Sequence, residues 1–383
     1  MALITYLTRI QFDFGAIRLL DSELQLIGMR RPLVITDKGV IAAGLWDKVK
    51  AQLPGNMPIA IYDGTPENPT EQAVRDALAI YKAEGCDGII AIGGGSPMDL
   101  GKAVALMATH PGDSLQPYAM VEGGAAKITS KVAPVVAIPT TSGTGSEVGR
   151  GGLIIMDSGR KLAIGSPYLI PRLALVDPEL TLGLPPRLTA GTGMDAIAHC
   201  METFMAPTVN PPAEAIALDG LGKAWRHLER AVRDGGDREA RWNMAMAAME
   251  GAMCFQKGLG AVHALSHPSG ALKGLPLHHG TLNAVYMPAV IRFNAPAVGD
   301  KIARMAQVIG LPEREATADG LAEAVAAMNA RIGIPAGLKA MGVPEDAFPL
   351  IAEGALGDHC HLTTPRQPTK AEYTTLIEQS YGA

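Results

Sequence analysis

Residues 88–99 read Gly-Ile-Ile-Ala-Ile-Gly-Gly-Gly-Ser-Pro-Met-Asp, and this stretch decides the fold of the first half of the chain. Gly88–Ile92 is a short apolar run, typical of a strand that is buried on both faces of a parallel sheet. The glycines that follow let the backbone turn tightly and approach an anion without a Cβ clash. Ser96 suits an N-cap and Pro97 the first position of a helix, whose free N–H groups favour a phosphate. The stretch therefore predicts a strand, a phosphate-binding turn and a helix; the alternative is a purely structural glycine turn.

The same alternation of strand and helix continues on both sides of this stretch. Similar apolar runs occur at residues 32–37, 59–63 and 134–138, helical patterns at 70–84 and 97–109, and further possible strands at 153–155 and 173–176. Alternation of this kind predicts a doubly wound α/β domain that binds its ligand at the carboxyl ends of the strands.

The second half of the chain differs from the first in amino-acid composition and in hydrophobic periodicity. From Arg187 onward it is rich in Ala, Leu, Met and Glu, and residues 237–255 and 316–332 have the periodicity of long helices. Leu184-Pro185-Pro186 interrupts regular structure between the halves. Because 383 residues are too many for one ordinary core, we predict two domains, an α/β domain over 1–184 and an all-helical domain over 185–383.

Composition and charge restrict the class of protein. Hydrophobic residues make up 48% of the chain and charged residues 19%, which predicts a soluble protein with a large core. The net charge is −5 and no block of Lys and Arg stands out, so neither nucleic acid nor an anionic membrane is an expected partner. The four cysteines are far apart, no apolar run is long enough to span a membrane, and no targeting segment is evident. We therefore expect a cytoplasmic protein.

A second polar loop follows another predicted strand. Residues 139–147 read Pro-Thr-Thr-Ser-Gly-Thr-Gly-Ser-Glu, and hydroxyls and glycines at the carboxyl end of a strand suit a diphosphate and a ribose. The alternative is a solvated loop. Asp37 ends the first predicted strand and could repel a 2′-phosphate, which would favour NAD over NADP; an ordinary turn aspartate is the other interpretation.

A group of acidic and imidazole side chains in the second half has metal-ligand spacing. Asp195 and His199 stand four residues apart, so one helical face presents both; His263 and His267 repeat that spacing, and His279 follows. One carboxylate with several imidazoles suits Fe²⁺ or Zn²⁺ far better than Mg²⁺ or Ca²⁺. The alternative is a set of core or surface histidines that hold no metal.

Taken together, these motifs resemble the iron-containing (group III) alcohol dehydrogenase family. The resemblance implies a Rossmann-like α/β N-terminal domain and an all-α C-terminal domain, the dehydroquinate synthase-like fold of that family. It runs in order through nearly the whole chain, at Gly93–Ser96, Pro139–Thr144, Gly193–His199, Gly258–His267, His279–Ala284 and Thr364–Arg366.

The resemblance also implies roles for individual residues. The family's metal ligands fall on Asp195, His199, His263 and His279, with Fe²⁺ the expected ion and Zn²⁺ the alternative. His267 matches the histidine that lies beside the nicotinamide and the substrate, and we predict that it relays a proton or positions the substrate. The positions matching the family's NAD contacts are Asp37, Gly94, Gly95, Ser96, Asp99, Thr140, Thr141, Thr144 and Lys161.

The chain departs from the family pattern near the last predicted ligand. Residues 276–280 read Pro-Leu-His-His-Gly, where many members have Pro-His-Gly. Gly280 and Asn283 keep the family register, which favours His279 as the ligand, and His278 is the alternative.

A second departure concerns the expected substrate pocket. Residues 147–152 read Glu-Val-Gly-Arg-Gly-Gly, which is smaller and more basic than in the simple alcohol enzymes and places Arg150 near the expected pocket. If the substrate carries a carboxylate, Arg150 or Lys257 could pair with it. The alternative is that both are solvated cations.

Several stretches most resemble bacterial 4-hydroxybutyrate dehydrogenases within the family. The expected reaction is the interconversion of a small primary alcohol and its aldehyde, 4-hydroxybutyrate and succinic semialdehyde being the favoured pair. The alternatives are a general primary-alcohol or lactaldehyde-type dehydrogenase, a lyase that resembles dehydroquinate synthase, and a sensor of NAD or metal without turnover. The family also implies a homodimer or a larger homo-oligomer. The stretches are Tyr6–Thr8, Asn210–Ala213, Leu218–Leu221, Phe255–Gly258 and His278–Asn283.

Overall fold

The computed structural model describes residues 8–382, which form two compact units. The first unit contains residues up to 141 and residues 145–183, and the second contains residues 142–144 and the chain from Leu184 onward. The short segment 142–144 of the second polar loop thus belongs to the helical unit. Tyr6 and Leu7, which carry part of the narrower resemblance, lie outside the described residues.

The first unit is built on a parallel sheet. Its strands are β1 (Arg9–Phe12), β2 (Pro32–Ile35), β3 (Ala60–Tyr62), β4 (Gly88–Gly93), β5 (Val135–Pro139), β6 (Gly151–Ile155), β7 (Lys161–Gly165) and β8 (Leu173–Val176). Six of them form one sheet in the order β1-β8-β5-β4-β2-β3, and every described pair in it is parallel. The chain runs from β2 outward to β3 and then returns to β4. The strand order therefore reverses between β2 and β4, where open α/β sheets bind their ligands.

The central strands are the ones whose sequence is apolar throughout. β2, β4, β5 and β8 are buried at every position, as the unbroken apolar runs predict. The predicted strand at 173–176 is β8, within the sheet. Residues 153–155 are also extended, but they belong to β6, which pairs antiparallel with β7 in a separate hairpin. The sequence did not predict β1 or β7, because their polar and partly exposed residues hide the pattern.

Helices connect the strands of the first unit. They are α1 (Leu20–Ile27), α2 (Lys38–Ala42), α3 (Leu45–Lys50), α4 (Glu71–Ala83) and α5 (Gly95–Met107). The start of α5 corrects a prediction: its N-cap is Gly94, with no side-chain cap, and the Ser96 hydroxyl donates instead to the carbonyl oxygen of Glu67. The helix begins earlier than predicted because the flexible glycines complete the turn sooner, so Pro97 lies within the first turn rather than at its first position.

The second unit is helical. Its long helix α6 packs against α7, α8 and α10 around a core composed mainly of Ala, Ile, Leu and Met. Among the described residues, no helix has both the length and the apolar character that crossing a membrane requires. The helices are α6 (Pro186–Met205), α7 (Pro211–Arg233), α8 (Arg238–Met253), α9 (Ala261–Gly270), α10 (His279–Asn294), α11 (Lys301–Val308), α12 (Ala318–Arg331), α13 (Phe348–Leu356) and α14 (Lys370–Gln379).

Candidate metal centre

Helix α6 presents the first two predicted ligands. Asp195 and His199 lie four residues apart on a single helical face, and both side chains are buried. The Asp195 Oδ1 atom is 3.4 Å from the Nε2 atom of His199. The helical repeat therefore places a carboxylate oxygen and an imidazole nitrogen at one point in the interior of the unit.

Two further imidazoles reach the same oxygen from other helices. His263 lies in the first turn of α9, and His279 is the first residue of α10. The Nε2 atom of each is 3.6 Å from Asp195 Oδ1, and the ligand atoms of these three residues all lie within 4.8 Å of one another. His199 joins this group through its Nε2 contact with Asp195 Oδ1; we call Asp195, His199, His263 and His279 the four-residue cage.

The geometry of the four-residue cage fits a divalent transition metal. Metal–ligand bonds of about 2.1 Å in a tetrahedral site place the ligand atoms about 3.4 Å apart, close to the separations of 3.4 and 3.6 Å from Asp195 Oδ1. The Asn283 Nδ2 atom lies 2.7 Å from that oxygen and 3.2 Å from the Nε2 atoms of His263 and His279. The side-chain nitrogen of Asn283 thus lies close to atoms of three of the four cage residues.

The carboxylate of the cage is strongly favoured in its charged form. Burial alone would raise the pKa of Asp195, but the imidazoles of His199, His279 and His263 hold it well below its ordinary value. Burial lowers the pKa of His199 to about 4, so its Nε2 lone pair is available to a metal at neutral pH. The cage therefore contains a fixed anion and at least one neutral imidazole.

Glu202 orients one of the cage imidazoles, and the sequence reasoning missed it. Its Oε2 atom accepts from Nδ1 of His263 at 2.6 Å, and its Oε1 atom accepts from the Val262 N–H at 2.7 Å. Against the effect of burial, Asp195 and Glu202 raise the pKa of His263 to about 9. A carboxylate that holds Nδ1–H turns Nε2 toward the metal position. Glu202 lies seven residues after Asp195 in α6, and that spacing could have revealed it.

His267 lies beside the cage. Its Nδ1 atom donates to Oδ2 of Asp358 at 2.8 Å, and its ring stacks on that of His279 with centroids 5.4 Å apart. The Nε2 atom is buried and has no hydrogen-bond partner among residues 8–382. Burial lowers the pKa of His267. The tautomer with Nδ1–H leaves an acceptor lone pair on Nε2, which is what a proton relay needs. Sequence reasoning did not find Asp358, which is distant in the chain.

The chain departs from the family pattern at two adjacent histidines, His278 and His279, and these two side chains have different positions. His278 is the N-cap of α10, and its Nδ1 atom accepts from the backbone N–H of Thr281 at 3.3 Å. The Nε2 atom of His279 lies in the four-residue cage. This placement favours His279 over His278 as the predicted last ligand.

Lys257 does not have the role that the sequence suggested. Its side chain is fully buried, and its Nζ atom donates to the carbonyl oxygens of Thr203 at 3.0 Å, Phe204 at 3.3 Å and Ala206. It also pairs with Glu214 at 3.3 Å. The ammonium group therefore satisfies carbonyls at the end of α6, and the prediction that it binds a substrate carboxylate is wrong. The long side chain reaches inward, which sequence spacing cannot reveal.

Arg150, the other predicted substrate cation, is exposed and belongs to the first unit. Within residues 8–382 its guanidinium forms no hydrogen bond or ion pair with a side chain. Its role toward a substrate stays a prediction.

Several predicted cofactor residues of the first unit lie where the strand order of the sheet reverses, between β2 and β4. Gly93 has φ of 146°, a conformation that favours glycine, and a Cβ atom there would lie 2.7 Å from Pro97 Cγ and 3.4 Å from Oδ2 of Asp37. A Cβ atom at Gly94 would lie 3.4 Å from Oγ1 of Thr141. The turn after β4 is therefore close to the ends of β2 and β5, and its missing side chains leave room for a phosphate.

The remaining predicted cofactor residues differ from one another in their contacts and positions. Asp99 is buried and accepts from Ser146 Oγ at 2.6 Å and from the Leu153 N–H at 2.9 Å. Its carboxylate therefore links α5 to β6 and to the loop before β6. The Nζ atom of Lys161 donates to Oδ1 of Asn68 at 2.8 Å. Thr140 and Gly95 lie at the ends of β5 and the start of α5, and Thr144 belongs to the second unit. Direct contact of these residues with a cofactor stays a prediction.

Comparison with known proteins gives full-length matches. Family models described as "iron-containing alcohol dehydrogenase" and "Fe-containing alcohol dehydrogenase family, C-terminal" match residues 8–178 and 189–381. A 4-hydroxybutyrate dehydrogenase from Cupriavidus necator is 57% identical over 387 aligned residues, which cover 99% of this chain and 100% of the relative. The crystal structure of a 1,3-propanediol oxidoreductase superposes with a TM-score of 0.91 at 36% identity, covering 99% and 100% of the two chains. A sulfoacetaldehyde reductase from Bifidobacterium kashiwanohense, solved in complex with NAD⁺, gives 0.85 at 26% identity, covering 99% and 98%.

Proposed function

Because the chain belongs to the iron-containing alcohol dehydrogenase family, we propose that it is an NAD-dependent enzyme that interconverts 4-hydroxybutyrate and succinic semialdehyde. The observation that carries the chemistry is the convergence of three imidazole nitrogens on one oxygen of Asp195. The substrate follows from the identity to the Cupriavidus necator enzyme along the whole chain.

In this proposal the first unit binds the nucleotide cofactor and the second unit binds the metal. The first, within residues 1–184, binds NAD at the turn after β4, where Asp37 disfavours a cofactor with a 2′-phosphate. The second, within 185–383, holds one metal ion in the four-residue cage. Fe²⁺ is the expected ion, and the donor set of one carboxylate and three imidazoles also suits Zn²⁺.

The side chains of the second unit supply positioning and proton transfer. When bound, Fe²⁺ supplies Lewis acidity at the substrate oxygen and NAD supplies the hydride acceptor. Glu202 holds the ring of His263 in the orientation that turns Nε2 into the cage. The open Nε2 atom of His267 accepts the hydroxyl proton during oxidation and returns it during aldehyde reduction.

The test of the proposed substrate is the oxidation of NADH by the Fe²⁺-loaded enzyme with succinic semialdehyde and with butyraldehyde. The two aldehydes differ chiefly in a terminal carboxylate, so the ratio of their kcat/KM values measures recognition of that charge. We expect a preference of roughly tenfold or more for succinic semialdehyde, equivalent to about 1.4 kcal/mol. Equal rates would contradict the substrate and leave a general alcohol dehydrogenase. Absence of turnover with both would favour a lyase of related fold.

We further propose that the enzyme works in the cytoplasm as a homo-oligomer. In the described chain Cys86, Cys200, Cys254 and Cys360 are all free thiols, which agrees with a reducing compartment. Size-exclusion chromatography with light scattering tests the oligomer, and a mass of about 40 kDa would contradict it, since one chain has a mass of 40.0 kDa.

A further inference from the structure

The proposed substrate has a carboxylate at the end opposite its hydroxyl, and the structure removes Lys257 as its partner. The helical unit contains another polar group beside the four-residue cage. His267, Asp358, His359 and Cys360 present side-chain ligand atoms that all lie within 4.8 Å of one another. His267 is assigned to proton transfer above, whereas His359 has no role yet.

Three imidazole rings lead from the metal position to His359. The ring of His279 stacks on that of His267 with centroids 5.4 Å apart and planes 11° apart. The ring of His267 in turn stacks on that of His359 at 5.7 Å and again 11°. The side chain of His267 is 2% exposed and that of His359 is 26% exposed. The series therefore leads from a predicted ligand through a buried ring to one that solutes can reach.

His359 retains hydrogen-bonding capacity that the neighbouring rings have used. Its Nδ1 atom is 3.4 Å from Oδ1 of Asp358, and its Nε2 atom is 3.5 Å from Sγ of Cys360. By contrast, the Nδ1 atoms of His263 and His267 form short bonds to carboxylates at 2.6 and 2.8 Å. The 3.4 Å contact to Asp358 is longer than an ordinary hydrogen bond, and a thiol is a weak hydrogen-bond partner. An imidazole carries at least one N–H donor at every pH near neutral. An anion that reaches this ring would gain a charge-assisted bond.

The distance from the metal position suits a four-carbon chain. In an extended 4-hydroxybutyrate, the hydroxyl oxygen and the farther carboxylate oxygen are about 6 Å apart, and a hydrogen bond from that oxygen adds about 3 Å. Two ring steps of 5.4 and 5.7 Å separate His279 from His359. A substrate with its hydroxyl oxygen at the metal position can therefore place its carboxylate near His359.

Asp358 fixes the position of His359 relative to His267. Its Oδ2 atom accepts from Nδ1 of His267, and its Oδ1 atom accepts from the Cys360 N–H, both at 2.8 Å. It is also the N-cap of the short helix that begins at His359. Its side chain is nearly buried, and the bond from His267 joins α9 to the segment that carries His359.

We propose that His359 binds the distal carboxylate of the substrate and so determines the preference for a four-carbon ω-oxo acid over the uncharged aldehyde. This inference rests on the proposed function, because it names the residue that recognises the charge of that substrate.

The test compares His359→Phe with the matched variant His361→Phe. Phenylalanine keeps a ring that can stack on His267 but removes both nitrogens. His361 is two residues away, and its Nδ1 atom contacts the Tyr373 hydroxyl at 3.0 Å. We expect His359→Phe to lower the kcat/KM ratio of succinic semialdehyde to butyraldehyde by roughly tenfold or more. The loss should come from a higher KM for succinic semialdehyde. His361→Phe should retain the wild-type ratio, and iron content per chain checks that both variants keep the cage.

A second variant separates hydrogen bonding from packing. His359→Gln keeps an N–H donor and should retain much of the preference that His359→Phe loses. An unchanged ratio in His359→Phe, with the wild type preferring succinic semialdehyde, would overturn the inference and leave the proposed function in place. A loss of the ratio in Arg150→Ala with none in His359→Phe would assign the carboxylate to Arg150, which also overturns it. A wild type without preference would remove the proposed substrate and this inference together.

Discussion

Replacement of Glu202 by glutamine tests whether the cage depends on a carboxylate outside it. Glu202 holds Nδ1 of His263 at 2.6 Å and the Val262 N–H at 2.7 Å, in a site where its side chain is 1% exposed. The variant keeps the shape of the side chain but removes its charge, and it can place an NH₂ group against the imidazole N–H. His263 then loses the partner that orients Nε2 toward Asp195.

The expected magnitude follows from these contacts. Loss of an outer carboxylate that supports a metal-bound histidine typically costs about 10- to 100-fold in metal affinity. We expect a loss in this range because the bond is short, buried and charge-assisted. Glu229→Gln is the matched control, since Glu229 lies on the surface of α7 and its one ion pair within residues 8–382 is with the exposed Arg331. Exposed pairs contribute about 0–1 kcal/mol, so this variant should bind metal as the wild type does.

The assay is competition for Zn²⁺ or Co²⁺ between the metal-free protein and a chromophoric chelator of known affinity. Thermal unfolding without metal, measured in parallel, separates a loss of affinity from a loss of fold. Wild-type affinity in Glu202→Gln, with an intact fold, would refute the reasoning that Glu202 orients His263.

Four other substitutions have distinct expected outcomes. His267→Ala should lower kcat by roughly 100-fold or more and leave the metal content unchanged, whereas His263→Ala should lose both the metal and the activity. Metal analysis and steady-state kinetics check these outcomes. Loss of metal in His267→Ala would make His267 a ligand. Lys257→Met should lower the free energy of unfolding by roughly 1–3 kcal/mol, because it removes the buried donor to the carbonyl oxygen of Thr203, whereas Glu214 still pairs with Lys301. It should keep the wild-type substrate ratio. Denaturant unfolding measures the first effect, and a changed ratio would restore Lys257 as a substrate residue. Burial raises the pKa of Glu147 to about 7 from 4.5, so the folded state favours the neutral carboxyl, and the wild type should lose stability as the pH rises from about 4.5 through 7. Glu147→Gln should lack this loss, and parallel curves for the two proteins between pH 5 and about 8 would contradict the assignment.

The parts of the fold that the sequence predicted are those that local pattern determines. The strands β2, β4, β5 and β8 are apolar throughout and buried on both faces, so their periodicity alone identifies them. β1 contains Arg9 and Gln11, and β7 begins at Lys161, so both resemble loops. The start of α5 differed from the prediction because the turn conformation of Gly93 and Gly94, rather than a capping side chain, determines where the helix begins.

The same distinction between local pattern and distant contacts applies to the residues of the candidate metal centre. Asp195 and His199 could be paired because four residues along a helix share a face. Asp358 and Asn283 act through contacts with distant segments, which local sequence does not mark. Glu202 lies seven residues after Asp195 in α6, and that spacing could have revealed it. Lys257 was assigned wrongly because spacing does not reveal whether a long side chain reaches solvent or the carbonyls at a helix end.

The central claim is that Asp195, His199, His263 and His279 hold one divalent metal ion on which turnover depends. The most direct measurement is anaerobic Fe²⁺ titration of the metal-free protein, with bound iron counted by native mass spectrometry and activity followed in parallel. We predict one ion per chain and activity that rises with occupancy, both abolished in Asp195→Ala and in His279→Ala but retained in His278→Ala. Full iron content and normal activity in Asp195→Ala would contradict the claim.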